Sequence, residues 1–410
     1  MGWNNHRVGS WPLTPPPVAA TPELRWALAR AFAAEGEPPP PPADGERAVA
    51  TAITHDLAVR IAARTPFERL RGEVGEAAAK TLVTHQLAVE GWGERVLAVA
   101  GEVRRWLEEA GVPVVLLKFA ALRCAGHVPA GGRAASDLDV LVPATCAATA
   151  RRALLASGCR EERLLRVPHH LFPFLTPRGV PVEVHTRLPG VALPGAADAT
   201  FEALEGAGLL TREGGAEGWL LPARELLVAH CLVHGLVQHG TAPLSYPPMR
   251  MVADLVDLGV GTPGDQALMS AVASLVGGRL PPEALAAVGE LCRVLRAGTA
   301  AHLLAGADDG AARLLRHALA GPVDRRYQQA LRWRAILGVA GEPRTVGGWL
   351  RELGQALWLT PGQVEVMHGP QRSAWGVAFW RLVRPLELLL RLPRYAWGAV
   401  RHRWGRRLRG

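Results

Sequence analysis

The chain has 410 residues, of which 49% are hydrophobic and 20% are charged. This balance excludes an intrinsically disordered chain and predicts two or three domains with a sizeable core. The formal net charge of +9 lies entirely in residues 372–410, which contain ten Arg and a single acid, Glu387. The rest of the chain sums to zero and has no basic stripe interleaved with aromatic residues, which argues against nucleic-acid binding.

Residues 1–110 are predicted to form a helical N-terminal region. A short helix is expected over residues 22–34, before a proline run at 38–42. From residue 46 to 110, apolar residues recur at spacings of three and four, which is typical of helices. The clearest series is Val89, Trp92, Val96, Val99, Val103 and Trp106. Pro66 interrupts the segment, and the pattern predicts three helices there.

Residues 111–190 are predicted to form a compact core of strands and helices. The apolar run 112–117, which ends at Lys118, predicts a buried strand, and residues 137–142 predict a second one. Helices are expected over 120–125 and 145–157, the latter followed by Gly158 in a left-handed cap position. Further strands are predicted over 171–176 and 180–186.

Residues 191–371 are predicted to form a large helical C-terminal domain. Its expected helices cover 223–237, 249–259, 266–276, 282–297, 311–318, 325–337 and 346–358. The predicted fold class is therefore α+β, with a small mixed sheet set between a helical N-terminal region and a large helical C-terminal region.

Residues 372–410 are predicted to form a basic amphipathic tail. One helical face would carry Trp375, Phe379, Leu382, Val383, Leu386 and Leu390. Pro385 and Pro393 predict that the tail breaks into two or three short helices. Two interpretations stay open: contact with an anionic membrane or an acidic partner, and packing on the body with an arginine-rich side exposed.

The cysteines and the hydropathy pattern bear on location. Five cysteines, without a Cys-x-x-Cys pair, predict neither a disulfide framework nor a zinc–thiolate site. Residues 1–16 lack the apolar segment of a secretory signal, and no stretch is apolar enough to span a membrane. We therefore expect a cytoplasmic protein, with peripheral membrane contact by the tail as an alternative.

The acidic residues of two predicted strands carry the chemistry. Asp137 and Asp139 lie two apart on a strand, so both side chains project from one face, with Cα atoms about 7 Å apart. Such a pair suits one Mg²⁺ or two, with nucleotide phosphates completing the coordination. Glu183 and His185 share a face of a later strand by the same alternation. Three carboxylates converge if the two strands are neighbours.

Three segments resemble the uncharacterised nucleotidyltransferase family of the polymerase-β-like superfamily. They are Leu116-Leu117-Lys118, Arg133-x-x-x-Asp137-Leu138-Asp139-Val140-Leu141-Val142 and Val182-Glu183-Val184-His185. Leu221-Pro222-x-x-Glu225-Leu226 and Met249-Arg250-x-x-x-Asp254 resemble the family's helical portion, so the resemblance covers about residues 112–259.

The resemblance implies a site as well as a fold. Asp137, Asp139 and Glu183 would be the catalytic acids and the ligands of two Mg²⁺ ions. Lys118, Arg133, Ser136 and His185 would form the nucleotide side of the site. The implied reaction moves a nucleoside monophosphate from an NTP to an acceptor hydroxyl or phosphate, and no motif indicates whether that acceptor is a small molecule, a peptide or a protein.

Phe119 departs from the family pattern. The superfamily expects a glycine beside the triphosphate, where backbone N–H groups approach phosphate closely. Either Lys118 and Arg133 carry more of the neutralisation, or the site has lost its nucleotide. In the second case the chain would be an adaptor that binds a protein or an anionic membrane through its tail. Intact, mutually repelling carboxylates count against the adaptor.

Other polar residues have plainer interpretations. Asp254 and Asp257 are spaced as on a solvated helix face, with a role in acceptor or base binding as the minor alternative. His169-His170 is interpreted as a surface pair, with a place at the site as the minor alternative. His230-x-x-x-His234 has helical metal-ligand spacing but no convincing further ligand, so zinc is a minor alternative.

Overall fold

The structure is a computed structural model, and it describes residues 15–33, 41–162, 170–196, 199–213, 218–238, 248–277, 279–305, 309–336, 364 and 373–407. Within them the chain has the predicted α+β architecture, in which a mixed sheet lies between helical N- and C-terminal regions. The helix predicted over 346–358 lies outside the described residues.

The predicted first helix is present, and the chain from residue 45 to 110 contains four helices where three were predicted. Asp56 and Gly75 have φ values of 59° and 85°, and this backbone conformation interrupts a helix without a proline. The predicted apolar face is confirmed, because Val96, Val99 and Val103 are fully buried. The helices are α1 Pro22–Phe32, α2 Gly45–Thr54, α3 Ala58–Arg64, α4 Phe67–Val74 and α5 Glu76–Glu109.

The strands are β1 Val115–Leu116, β2 Leu138–Leu141, β3 Arg160–Glu161, β4 Phe174–Leu175, β5 Pro181–His185, β6 Arg187–Leu188, β7 Ala199–Thr200, β8 Leu210–Glu213 and β9 Trp219–Pro222. Seven of them form one sheet in the order β3-β4-β5-β2-β1-β9-β8, and β6 pairs with β7. The β2–β5 and β1–β9 pairs are parallel. The sheet includes β8 and β9, which were not predicted, and it therefore extends past the proposed boundary at residue 190. The division into four segments otherwise stays a prediction.

The helices of the middle and C-terminal parts share an apolar core with this sheet. The φ of 84° at Gly158 confirms the expected left-handed cap after α7. A single apolar cluster runs from Leu24 to Leu319 and joins the N-terminal helices, the sheet and the C-terminal helices. The helices are α6 Lys118–Cys124, α7 Ala147–Ala156, α8 Phe201–Gly206, α9 Arg224–Leu232, α10 Pro248–Asp257, α11 Gln266–Val276, α12 Pro282–Arg296, α13 Ala301–Leu304, α14 Gly310–Val323 and α15 Arg325–Ile336.

The tail forms one helix, α16 Ala374–Arg407, so the predicted breaks at Pro385 and Pro393 are wrong. A proline φ is itself compatible with a helix, and each ring removes one backbone hydrogen bond. Packing of α16 against α15 supplies stabilisation that the sequence pattern does not reveal. In the described part of the chain, no helix is both long enough and apolar enough to cross a membrane.

Candidate functional site

The parallel pairing of β2 with β5 assembles the acidic residues. Asp139 is the register partner of Glu183, and residues paired in this way project from the same face of a sheet. The intervening apolar residues, Val140 and Val184, are fully buried on the other face. The two strands are therefore neighbours, which was the condition for their acidic residues to converge.

Asp139 lies at the centre of the cluster. Its Oδ1 is 2.7 Å from Lys118 Nζ and 2.9 Å from His185 Nε2. His185 Nε2 also lies 3.7 Å from Glu183 Oε2. One potential ligand atom from each of Asp139, Glu183 and His185 falls within 4.8 Å of the others, a spacing that could hold a metal ion. The Asp139 side chain is 2% exposed and that of Glu183 is 28% exposed, so Glu183 is the more accessible acid.

The electrostatics of the cluster differ from acid to acid. Burial opposes ionisation of Asp139, but the Lys118 ammonium and the His185 hydrogen bond outweigh it and lower the Asp139 pKa. Burial and the negative charge of Asp139 raise the pKa of Asp137, and they raise the pKa of Glu183 to about 7. Burial would lower the pKa of Lys118, but these carboxylates raise it above its usual value. Three acids thus share a single lysine, an arrangement that favours a further cation.

Lys118 has the unusual backbone conformation that the resemblance assigns to a glycine. Its φ is 45°, in the left-handed region that is costly for a residue with a side chain. Phe119, the next residue, is in α6 and is 5% exposed. A Cβ added at Gly93 of α5 would lie 3.0 Å from the Phe119 ring, so this ring packs tightly on α5. Phe119 therefore fills core space, and the strained position is one residue earlier than expected.

Arg133 is directed toward α10. Its Nε lies 2.7 Å from Asp254 Oδ1, and the two side chains are 8% and 2% exposed. Its Nη1 donates to the Ala134 carbonyl at 3.2 Å, and its guanidinium lies 5.9 Å from the centre of the Phe119 ring. The interpretation of Asp254 as a solvated residue is therefore wrong. Its partner lies 121 residues earlier, a separation at which the sequence pattern gives no signal.

Asp257 is also paired, and the solvated-face interpretation fails for it as well. It forms an ion pair with Arg60 of α3, whose side chain is 4% exposed. Arg250 of the same helix pairs with Asp56 at 2.5 Å. Ion pairs from α10 thus reach both the loop that carries Arg133, which we name the site loop, and the N-terminal region.

The remaining predicted residues surround the cluster. Ser136 Oγ donates to Asp137 Oδ1 at 2.7 Å, just before β2. His170 was interpreted as a surface residue, but its ring centre lies 5.5 Å from that of His185 and burial lowers its pKa. His169 lies outside the described residues. His230 and His234 have ring centres 5.9 Å apart, but they belong to no group of three potential metal ligands within the described residues.

The chain belongs to the uncharacterised nucleotidyltransferase family, whose model matches residues 41–260, more than half of the 410 residues. The match starts before α2, so it includes the helices α2–α5 as well as the sheet and α10. No curated protein and no solved structure matches the chain. Family membership supports a transferase at a general level and implies a nucleotide substrate.

Proposed function

We propose that the protein is a metal-dependent nucleotidyltransferase that moves a nucleoside monophosphate from an NTP to an acceptor hydroxyl or phosphate. The observation that carries this proposal is the convergence of Asp139, Glu183 and His185 on two adjacent parallel strands, with Asp137 just before β2. In such a reaction the acceptor oxygen bonds to the α-phosphorus, the bond from that phosphorus to the bridging oxygen breaks, and pyrophosphate leaves.

The donor set fits a divalent cation. Carboxylate oxygens are the ligands that Mg²⁺ prefers, and Lys118 balances only part of the negative charge of the cluster. Asp137, Asp139 and Glu183 would hold the ions, with His185 beside them, and two Mg²⁺ ions remain our prediction. Bound Mg²⁺ would neutralise phosphate charge and stabilise the charge that develops on the attacking and leaving oxygens.

The protein's own groups would position the reactants. Glu183, the accessible acid with a pKa raised to about 7, is suited to take the proton of an acceptor hydroxyl near neutral pH. Lys118 brings a positive charge to the edge of the cluster, where phosphate oxygens would lie. His185 donates to the ionised Asp139 and so fixes the orientation of that carboxylate.

Two roles stay predictions. Arg133 was expected to neutralise the triphosphate, and its Nε donates to Asp254 instead of pointing to an open site. Ser136 was expected on the nucleotide side, and its hydroxyl donates to Asp137. Both residues can serve the site indirectly, Arg133 by anchoring its loop to α10 and Ser136 by orienting Asp137.

Calorimetry with a non-hydrolysable NTP, with and without Mg²⁺, tests the proposal directly. Binding should require Mg²⁺ and should be lost in Asp137→Ala/Asp139→Ala, because that variant removes two of the three acids. The matched control is Glu202→Ala, which removes an exposed acid of α8 and should bind as the wild type does. Turnover, measured as pyrophosphate release with a cell extract as the acceptor source, should be abolished by Asp137→Ala. Retained turnover in that variant would remove the assignment of Asp137.

The second candidate is a non-catalytic adaptor built on the same scaffold. It is favoured by the core-filling role of Phe119, which leaves no glycine beside the phosphate position. Failure of the folded wild-type protein to bind ATP, GTP, CTP or UTP in the presence of Mg²⁺ would select the adaptor.

A further inference from the structure

Helix α16 presents large apolar side chains to solvent. They are between 57% and 84% exposed and lie at helical spacings that place them within about 100° around the axis. We name this surface the outer stripe, and it consists of Trp375, Phe379, Leu382, Leu386, Leu389, Leu390 and Trp397. The other exposed large apolar residues of the described chain are scattered over α2, α5, α7 and α14. Among the described residues, large exposed apolar side chains are therefore concentrated on the outer stripe.

The opposite side of α16 is partly polar. Arg384 and Glu387 form an ion pair at 2.7 Å, and their side chains are 12% and 19% exposed. Helix α16 packs against α15. The interpretation in which the apolar side of this helix packs on the body is therefore wrong. An apolar stripe about 33 Å long, left in solvent, marks an interaction site.

The charge of the helix selects the chemistry of the partner. Helix α16 contains eight Arg and one Glu, whereas residues 1–371 have no net charge. A second copy of the chain would bring an equally basic helix to the outer stripe, and like charges would repel. An anionic lipid surface would instead be complementary to the net positive charge of α16 and would also cover its apolar residues.

We propose that α16 binds the surface of an anionic lipid bilayer through the outer stripe. Trp, Phe and Leu side chains enter the boundary between headgroups and acyl chains, and arginine guanidinium groups bind lipid phosphates. The helix lies on the membrane, because no described helix is suited to cross it. This inference concerns a surface separate from the acidic cluster and does not depend on the proposed reaction.

Vesicle co-sedimentation of the full chain tests the proposal. The chain should bind phosphatidylcholine vesicles that contain about 30% phosphatidylserine at least about tenfold more tightly than pure phosphatidylcholine vesicles, and this preference should decline with added salt. Leu382→Gln/Leu386→Gln, which leaves the charge unchanged, should weaken binding about tenfold or more. Arg391→Gln/Arg394→Gln, which keeps the outer stripe, should also weaken it about tenfold or more.

The matched control is Ile53→Gln/Leu87→Gln, which removes two exposed apolar residues elsewhere and should bind as the wild type does. Circular dichroism verifies that each variant is folded. Equal binding to both kinds of vesicle, or binding that survives both tail variants, would overturn the proposal. A wild-type dimer in sedimentation equilibrium that Leu382→Gln/Leu386→Gln converts to a monomer would overturn it as well, because a second copy would then cover the outer stripe.

Discussion

The ion pair of Arg133 with Asp254 should be a major stabilising link between the site loop and α10. Its N–O distance is 2.7 Å, and both side chains are less than a tenth exposed. At an effective dielectric constant of about 20, the attraction is on the order of 6 kcal/mol, and the cost of desolvating both charges offsets most of it. Removal of one partner leaves that cost without the attraction. We therefore expect Asp254→Ala to lower the free energy of unfolding by about 3–5 kcal/mol.

Urea denaturation, monitored by the fluorescence of the chain's 13 tryptophans, measures this loss. The double variant Arg133→Met/Asp254→Leu should be more stable than Asp254→Ala, because it leaves no buried charge without its partner. The control is Glu108→Ala, which breaks the more exposed Arg104–Glu108 pair, at 2.9 Å, and should cost less than about 1 kcal/mol. A loss below about 1 kcal/mol for Asp254→Ala, or a double variant less stable than the single one, would refute the reasoning.

Three further predictions concern stability. Burial lowers the pKa of His317 to about 4, so at acidic pH the unfolded chain binds a proton that the folded chain does not bind. When the pH falls from about 7.5 to about 5, the free energy of unfolding should therefore fall by about 2 kcal/mol more in the wild type than in His317→Gln. Equal pH dependence of the two proteins would contradict this prediction. Both Lys118→Gly and Lys118→Ala remove the ammonium group. Because a φ of 45° is costly for a residue with a Cβ, the glycine variant should be about 1 kcal/mol more stable than the alanine variant in urea denaturation. The reverse order would show that the backbone is not strained. Asp309 Oδ1 accepts the backbone N–H of Ala312 at 2.8 Å at the start of α14, so Asp309→Ala should cost about 1 kcal/mol in the same assay, and no change would argue against this cap.

Much of the acidic cluster could be predicted from the sequence. Side chains two apart on a strand share a face, so Asp137-x-Asp139 and Glu183-x-His185 each define a local arrangement independent of the rest of the fold. The parallel β2–β5 pairing then brings Asp139, Glu183 and His185 together, whereas Asp137 lies just before β2. The helical faces were equally predictable, as the buried Val96, Val99 and Val103 show, because periodicity records which side is withdrawn from water.

Partners distant in the chain were not predictable. Asp254 was interpreted as solvated because its spacing on α10 resembles an exposed face, and only the fold brings Arg133 to it. Strands β8 and β9 have the sequences Leu-Thr-Arg-Glu and Trp-Leu-Leu-Pro, and neither shows the alternation of apolar and polar residues that predicts a strand. The prolines of the tail were interpreted as helix ends. In the structure α16 continues through them and packs against α15, a contact that the sequence pattern does not reveal.

The sequence by itself determined the α+β class, the helical periodicity, the two acidic strand motifs and the concentration of charge in the tail, because each depends on residue types at short spacing. Tertiary structure alone decided that Lys118 takes the left-handed conformation, that Phe119 fills the space against α5 and that Arg133 is held by Asp254. It also decided which side of α16 faces water. The physical reason is that burial and ion pairing depend on which distant segments become neighbours, and short-range patterns carry no record of that.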